Sequence, residues 1–405
     1  MKILWLSHLV PYPPKGGVLQ RSFNLLLEVS RNNEIYLVAF NQKPLLPTEQ
    51  DLENAVSALR KYCHGIKVVP MPSYKNLFSK YSLILKSLFT KKPYTVNWNR
   101  CSDMKDILIK TIDEFNPDLI HYDTIGMAEY FQYNTPILQV LNHHNIESAM
   151  MFRRATKEKN VLRKVYFYQE AKKIERYEKA MCKLFHSNLT VSDEDGLTLK
   201  KIDPEIITEV IPNGVDTSYF TPRAEKSDCE TLIFAGGMNW YPNLDAMLYF
   251  ADEIWPSLKG KRPTIKMVVI GQSPPRRLMK LSEEDPNFLV TGFVDDVRPY
   301  FDEASIYVCP IRDGGGTRLK ILDALSSGLP IVATSIAAEG IKVTPRKNIM
   351  IANTSEEFIK EILHLIERQE VRRQLSAEGR CLAEQEYSWS IIGERLNKLY
   401  NRLKD

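Results

Sequence analysis

Three consecutive glycines, Gly314, Gly315 and Gly316, stand between an apolar run at 305–310 and a helical pattern at 318–327. Backbone without side chains at a helix start exposes N–H groups, and such a cradle binds anions, phosphate above all. Thr317 adds a hydroxyl donor, and Arg318 and Lys320 add cations close by. Asp323 follows two turns into the helix, where a carboxylate can accept hydrogen bonds from ribose hydroxyls. The spacing is not that of a Walker A loop. A flexible turn before an ordinary amphipathic helix would use some of the same residues. The convergence of glycine, hydroxyl and cations at one helix start favours the phosphate site.

A second cluster, Asn142-His143-His144-Asn145-Ile146-Glu147, follows a strand pattern directly. Adjacent histidines on extended chain point to opposite faces, so they chelate a metal poorly, and a donor or acid/base role for one of them fits better. Gly16-Gly17 with Arg21 one turn further on is a third candidate, in which backbone approaches a ligand. A helix-opening turn with a surface arginine would look the same. Gly236-Gly237, ahead of Pro242-Asn243, is another strand running into a glycine turn. Pro212-Asn213-Gly214-Val215-Asp216 reads as a hinge turn by composition. Asp295-Asp296 is an adjacent carboxylate pair that reads as a cap for the following helix rather than as a metal site.

The elements around these residues alternate between strand and helix. In the first half, strand patterns fall at 2–9, 34–40, 66–70, 119–122, 137–141 and 188–191, with helical patterns at 18–29, 49–63, 102–115 and 151–186. The second half restarts the rhythm with strands at 230–235, 265–270, 289–291, 305–310 and 330–334 and helices at 318–327, 355–367 and 369–386. Strands spaced by helices of this length indicate parallel sheets of the doubly wound α/β class, with ligands at the carboxyl ends of the strands. Two Rossmann-like doubly wound domains facing a central cleft are expected. The first spans 1–205 and the second 206–387, with a last helix, 388–405, packing back on the first.

Length and composition agree. A chain of 405 residues exceeds what one core usually supports. Six scattered cysteines without a C-x-x-C pair suit a reducing, cytoplasmic setting. The N-terminal run is broken by Ser7 and His8 and reads as a buried strand rather than a signal peptide. The net charge of +4 conceals an asymmetry: residues 1–190 carry 27 Lys/Arg against 17 Asp/Glu, and the rest 27 against 33. No nucleic-acid-binding signature accompanies the basic half, so nucleic acid is not an expected partner. The segment 74–92 mixes Leu, Ile and Phe with five lysines and reads either as a core-facing helix or as a peripheral contact with an anionic membrane at its inner face.

Taken together and in order, these pieces resemble the retaining glycosyltransferases of the glycogen-synthase-like group 1 superfamily, which have the GT-B fold. The matching residues are Gly16-Gly17 with Arg21, His144 to Glu147, Ser192 with Asp195, Pro212 to Asp216, Gly236 ahead of Pro242-Asn243, Gly271, Gly292, and the triple-glycine loop with Thr317, Arg318, Leu319 and Lys320. The resemblance implies transfer of a sugar from a nucleotide-sugar donor, held mainly by the C-terminal domain, to a glycan or lipid-linked acceptor held mainly by the N-terminal one. It further implies surface polysaccharide or other glycoconjugate biosynthesis, with no metal and no other cofactor. His144, Arg318 and Lys320 are then the expected catalytic residues. Gly16, Gly17, Gly237, Asp313, Gly315, Gly316, Thr317, Leu319 and Asp323 are expected at the donor, and Arg21, Asn145 and Glu147 at the acceptor. Gly315 stands where relatives often carry a Glu, and Gly237 where many carry an Arg. Asp313 is the nearest replacement for the first, and Arg318 with Lys320 for the second. A nucleotide-sugar epimerase or hydrolase of the same fold, or a non-catalytic nucleotide-sugar-binding scaffold, is the competing expectation.

Overall fold

Lys2–Ser7 (β1) is an apolar run in which every residue after Lys2 is buried, as expected for a strand covered by helices on both faces. The computed structural model describes residues 1–72, 83–84, 87–222, 230–314 and 317–405. These fall into two compact units, Met1–Pro212 with Ile392–Asp405, and Asn213–Ile391.

In the first unit β1 is followed by β2 (Glu34–Asn41), β3 (Gly65–Pro70), β4 (Leu119–Tyr122), β5 (Leu138–Asn142), β6 (Ser187–Thr190) and β7 (Thr208–Val210). They form one sheet in the order β3-β2-β1-β4-β5-β6-β7, with parallel pairing throughout. The strand β7 moves the boundary expected at 205, because its hydrogen bonds tie residues 208–210 to β6 of the first sheet. The long helical pattern at 151–186 is two helices, α2 (Glu147–Lys157) and α3 (Val161–Met181), following α1 (Gly17–Ser30). The break comes from Asn160, whose side chain accepts from the Arg163 N–H and starts a new helix.

The second unit repeats the plan. β8 (Thr231–Ala235), β9 (Lys266–Ile270), β10 (Phe288–Gly292), β11 (Ile306–Cys309), β12 (Ile331–Ala333) and β13 (Met350–Ile351) pair in the order β10-β9-β8-β11-β12-β13, again all parallel. The helix α4 (Leu319–Ser326) follows β11, and its inward residues Ile321, Leu322 and Leu325 join the core of this unit.

The last helix, α5 (Trp389–Lys404), contributes its residues from Ile392 onward to the first unit. Gly393 lets it lie against α1, since a Cβ there would come within 2.2 Å of the Glu28 Cβ. Tyr400 Oη lies 2.6 Å from His121 Nδ1, and the His121 ring stacks on Trp5 at 3.7 Å. Lys404 Nζ donates to Asp118 Oδ1 at 3.1 Å.

In each sheet the chain winds outward one way from the first strand and then the other way from the fourth. That reversal leaves a crevice at the carboxyl ends of β1 and β4 in one unit and of β8 and β11 in the other, which is where doubly wound sheets place ligands.

Candidate active site

In the first unit three strand ends meet at that crevice: His8 just after β1, Asp123 just after β4, and His144 two residues after β5. Asp123 is fully buried. Its Oδ2 accepts hydrogen bonds from Ser7 Oγ at 3.0 Å and Ser22 Oγ at 2.8 Å. His144 Nε2 lies 3.4 Å from Asp123 Oδ1 and His8 Nδ1 3.6 Å from Oδ2, both longer than well-formed hydrogen bonds. Burial alone would raise the Asp123 pKa, but the two imidazoles outweigh it and hold the carboxyl well below its ordinary range. Burial lowers the pKa of His144, against the pull of Asp123, so the ring is held neutral near pH 7. A carboxylate facing Nε2 favours the tautomer protonated there and leaves Nδ1 as an acceptor. One ligand atom from each of His8, Asp123 and His144 lies within 4.8 Å of the others, so the same trio has the dimensions to take a metal ion.

His143 turns to the other side of the chain, as the alternation of extended backbone requires. It is buried with Nε2 3.2 Å from Asn188 Oδ1, and burial lowers its pKa to about 4. Arg21 is buried too. Its Nε and Nη2 donate to Asn142 Oδ1 at 3.2 and 2.9 Å and its Nη1 to the Pro212 carbonyl at 3.0 Å. The guanidinium is therefore directed at the protein's own Asn142 and 212 carbonyl rather than presented on a helix surface. Asn142 Nδ2 in turn faces the Asp123 carbonyl at 3.2 Å and its Oδ1 at 3.4 Å, which links Arg21 to the carboxylate. Asn145 is half-buried, and Glu147 opens α2 with its pKa raised by burial. Next to it Ser148 N–H donates to Glu178 Oε1 at 3.2 Å, and burial lifts the Glu178 pKa to about 7. Gly16 has φ of 103°, a left-handed value that favours glycine just ahead of Gly17, the first residue of α1.

In the second unit the crevice gathers cations. Lys320 Nζ, on the first turn of α4, donates to Asn243 Oδ1 at 2.6 Å and stands 4.4 Å from the centre of the Phe234 ring. Asn243 Nδ2 donates to the Gly237 carbonyl at 2.8 Å, which fixes the glycine turn after β8. A Cβ on Gly236 would sit 2.3 Å from Lys320 Nζ, so a side chain there would displace the ammonium. Burial lowers the Lys320 pKa to about 8 and raises that of Asp323, the fifth residue of α4, to about 7. Arg318 is buried and its Nη2 donates to the Asp313 carbonyl at 3.3 Å, while Asp313 Oδ1 accepts from Gly314 N–H at 2.5 Å. Thr317 Oγ1 is buried without a hydrogen-bond partner among the described residues. Leu319 packs against the core of the unit. Gly315 and Gly316, and most of the 74–92 segment, lie outside the described residues.

The structure thus brings Gly236, Gly237, Asp313, Thr317, Arg318, Lys320 and Asp323 to one crevice of the second unit. It places His144, Arg21, Asn145 and Glu147 around the crevice of the first. Asn142, part of the second sequence cluster, belongs to the latter, as do His8 and Asp123, which were not singled out from the sequence. The available signal was positional, since each stands at or just past the carboxyl end of a central strand. Asp296, one of the adjacent pair, accepts from the Arg298 N–H at 3.0 Å at the start of helix Arg298–Glu303.

Two Rossmann-like units in one chain, each with polar groups gathered where its strand order reverses, define a GT-B glycosyltransferase fold. Residues 229–368 match the family Glycosyl transferases group 1. A curated relative, the GDP-mannose-dependent monoacylated alpha-(1-6)-phosphatidylinositol monomannoside mannosyltransferase of Corynebacterium glutamicum, is 25% identical over 214 residues, covering 47% of this chain and 55% of that protein. The chain spans between 44% and 59% of the length of the curated relatives it matches. The fold is shared with sucrose-phosphate synthase from Thermosynechococcus elongatus, at TM-score 0.71 and 14% identity over 100% of this chain and 99% of that one. It is shared as well with Anabaena HepE, solved in complex with UDP, at TM-score 0.65 and 13% identity over 99% and 100% of the two chains.

Proposed function

We propose that this chain is a retaining, metal-independent glycosyltransferase of the hexosyltransferase type. In this reading it moves a sugar from a nucleoside diphosphate donor to a glycan or lipid-linked acceptor, in the building of a surface polysaccharide or other glycoconjugate. The observation that carries the reading is Lys320: a lysine whose ammonium is held at a glycine turn, short of water, with Arg318 buried on the same loop. A partly desolvated cation of this kind gains most when a phosphate arrives. The similar proteins point the same way, one being GDP-mannose-dependent and another solved with UDP.

The chemistry follows from the charges. As the sugar leaves, positive charge develops at its anomeric carbon and negative charge on the departing diphosphate. Lys320, Arg318, the Thr317 hydroxyl and the first N–H groups of α4 stabilise that negative charge. Asp323 accepts from the ribose hydroxyls. In the first unit Asp123 holds His144 in one tautomer, so that its Nδ1 can orient a hydroxyl of donor or acceptor. The acceptor attacks the face from which the diphosphate departs, and the departing phosphate takes its proton. Asn145 and Glu147 are assigned to the acceptor.

The test is a thermal-shift panel of the full chain against UDP, GDP, ADP and their common sugar conjugates. A nucleotide at 100 times its Kd should add about 2.7 kcal/mol of stability. A shift with one base, followed by sugar transfer from that donor with retained anomeric configuration, is the expected result. Stabilisation by a nucleotide sugar without transfer or cleavage would return the chain to the scaffold reading.

A further inference from the structure

The helices α2 and α3 form a hairpin on the first unit, joined through residues 158–160 and tied by the Phe152 and Tyr168 rings at 5.6 Å. Its far end carries large apolar side chains that the unit leaves in solvent: Val161 is 71% exposed, Leu162 81%, Val165 61% and Tyr168 54%. Val161, Val165 and Tyr168 fall within about 60° of one another around the helix axis, and Leu162 flanks them. Isolated exposed apolar residues need no explanation, but four together are a patch.

The patch is ringed by charge of one sign. Between residues 153 and 164 the exposed cations Arg153, Arg154, Lys157, Lys159, Arg163 and Lys164 face one anion, Glu158, a net charge of 6 − 1 = +5. We propose that this hairpin end seats on the surface of an anionic lipid bilayer. Its aliphatic and aromatic groups enter the headgroup–acyl boundary, and its cations pair with lipid phosphates. A second copy of the chain is the poorer occupant, since face-to-face contact would set one cluster of cations against another.

The location gives the contact a use. α2 begins at Glu147, close after His144, and its 11 residues run about 16 Å to the patch. A bilayer held there carries a lipid-linked acceptor within reach of the first unit's crevice. That use rests on the lipid-linked form of the proposed function, whereas the binding itself does not.

The test is co-sedimentation of the full chain with phosphatidylcholine vesicles, with and without about 30 mol% phosphatidylglycerol. The wild-type chain should partition onto the anionic vesicles about ten-fold or more above the neutral ones and lose that excess in high salt. Replacing Val161, Leu162 and Val165 together by Ser should cut partitioning about ten-fold. The pair Arg163→Gln and Lys164→Gln should cut it roughly five-fold for each charge removed. All five side chains are exposed, so melting temperatures should stay near wild type and a lost interaction is not lost folding. Equal partitioning onto both vesicle types, or a Ser triple variant that sediments as well as wild type, overturns the proposal. So does a lipid-free dimer that the triple variant dissociates, which would assign the face to a second copy. The nucleotide panel reads the second unit without lipid, so failure there is separate from failure here.

Discussion

Replacing Lys320 by Met separates what this lysine costs the fold from what it gives a ligand. Its pKa falls from an ordinary 10.5 to about 8, chiefly because burial disfavours the ammonium. The shift is worth on the order of 3 kcal/mol, at about 1.4 kcal/mol per pH unit. The folded-state pKa lies below the unfolded one, so this penalty is fully present below about pH 8 and gone above the unfolded value. Met keeps the length of the side chain and removes the charge, at the cost of the Asn243 hydrogen bond, about 1 kcal/mol. The variant should therefore be as stable as wild type or more so at pH 7. Its affinity for a nucleoside diphosphate should fall, since hydrogen bonds to charged groups are worth roughly 1.5–3 kcal/mol, or about 10- to 150-fold. Titration calorimetry with the nucleotide found in the thermal-shift panel measures this directly. Wild-type affinity should also drop between pH 7 and 9.5 as the lysine loses its proton, and the Met variant should lose most of that dependence. Gly236→Ala should imitate the binding defect, because its Cβ would occupy the ammonium's place. Nucleotide affinity in Lys320→Met within two-fold of wild type, with an unchanged pH profile, would refute the reasoning.

The remaining expectations concern the first unit. Asp123→Asn removes the anion that His8 and His144 face and on which two serine hydroxyls converge, and should cost about 1–3 kcal/mol at pH 7, read by urea unfolding. Because the Asp123 pKa is depressed in the folded state, the gap between wild type and variant should close as the pH falls below the unfolded value of 3.8. Glu178→Gln should act in the opposite sense. The carboxyl is pushed up from 4.5 to about 7, so its charge opposes folding above pH 7. The variant should gain up to about 3 kcal/mol at pH 8 and nothing below pH 4.5. Treatment of the active chain with EDTA should leave turnover unchanged. Loss of activity restored by one divalent ion and absent from a His8→Ala chain would instead make His8, Asp123 and His144 a metal centre.

Much of the scaffold was legible because it depends on local pattern. Apolar runs such as Lys2–Ser7 and Ile306–Cys309, each followed by glycine, proline or polar residues, mark strands of buried parallel sheets wherever they occur. The glycine loop before α4 was equally visible, since glycine, hydroxyl and cations are consecutive there. The first unit's carboxylate was not, because Asp123 is one aspartate among many until β1, β4 and β5 pair and bring residues 8, 123 and 144 together. The helix break at Asn160 depends on a single side chain whose capping bond leaves little trace in the hydrophobic period.

By itself, then, the sequence determined two rounds of strand–helix alternation and a glycine-rich loop ahead of a helix, because helix and strand periods and a short glycine-rich segment are properties of neighbours along the chain. Tertiary structure decided which charges are paired, which are desolvated and which face solvent. Arg21 and Lys320 are both cations within the first five residues of helices that follow glycines. The fold closes one around Asn142 and the 212 carbonyl and leaves the other at a glycine turn beside Asn243. The same holds for Val161, Leu162 and Val165, ordinary helix residues by composition, which matter because none of the described residues of their unit is packed over them. Burial and pairing are set by contacts between residues far apart in the chain, and those contacts decide what each charge and each apolar side chain can do.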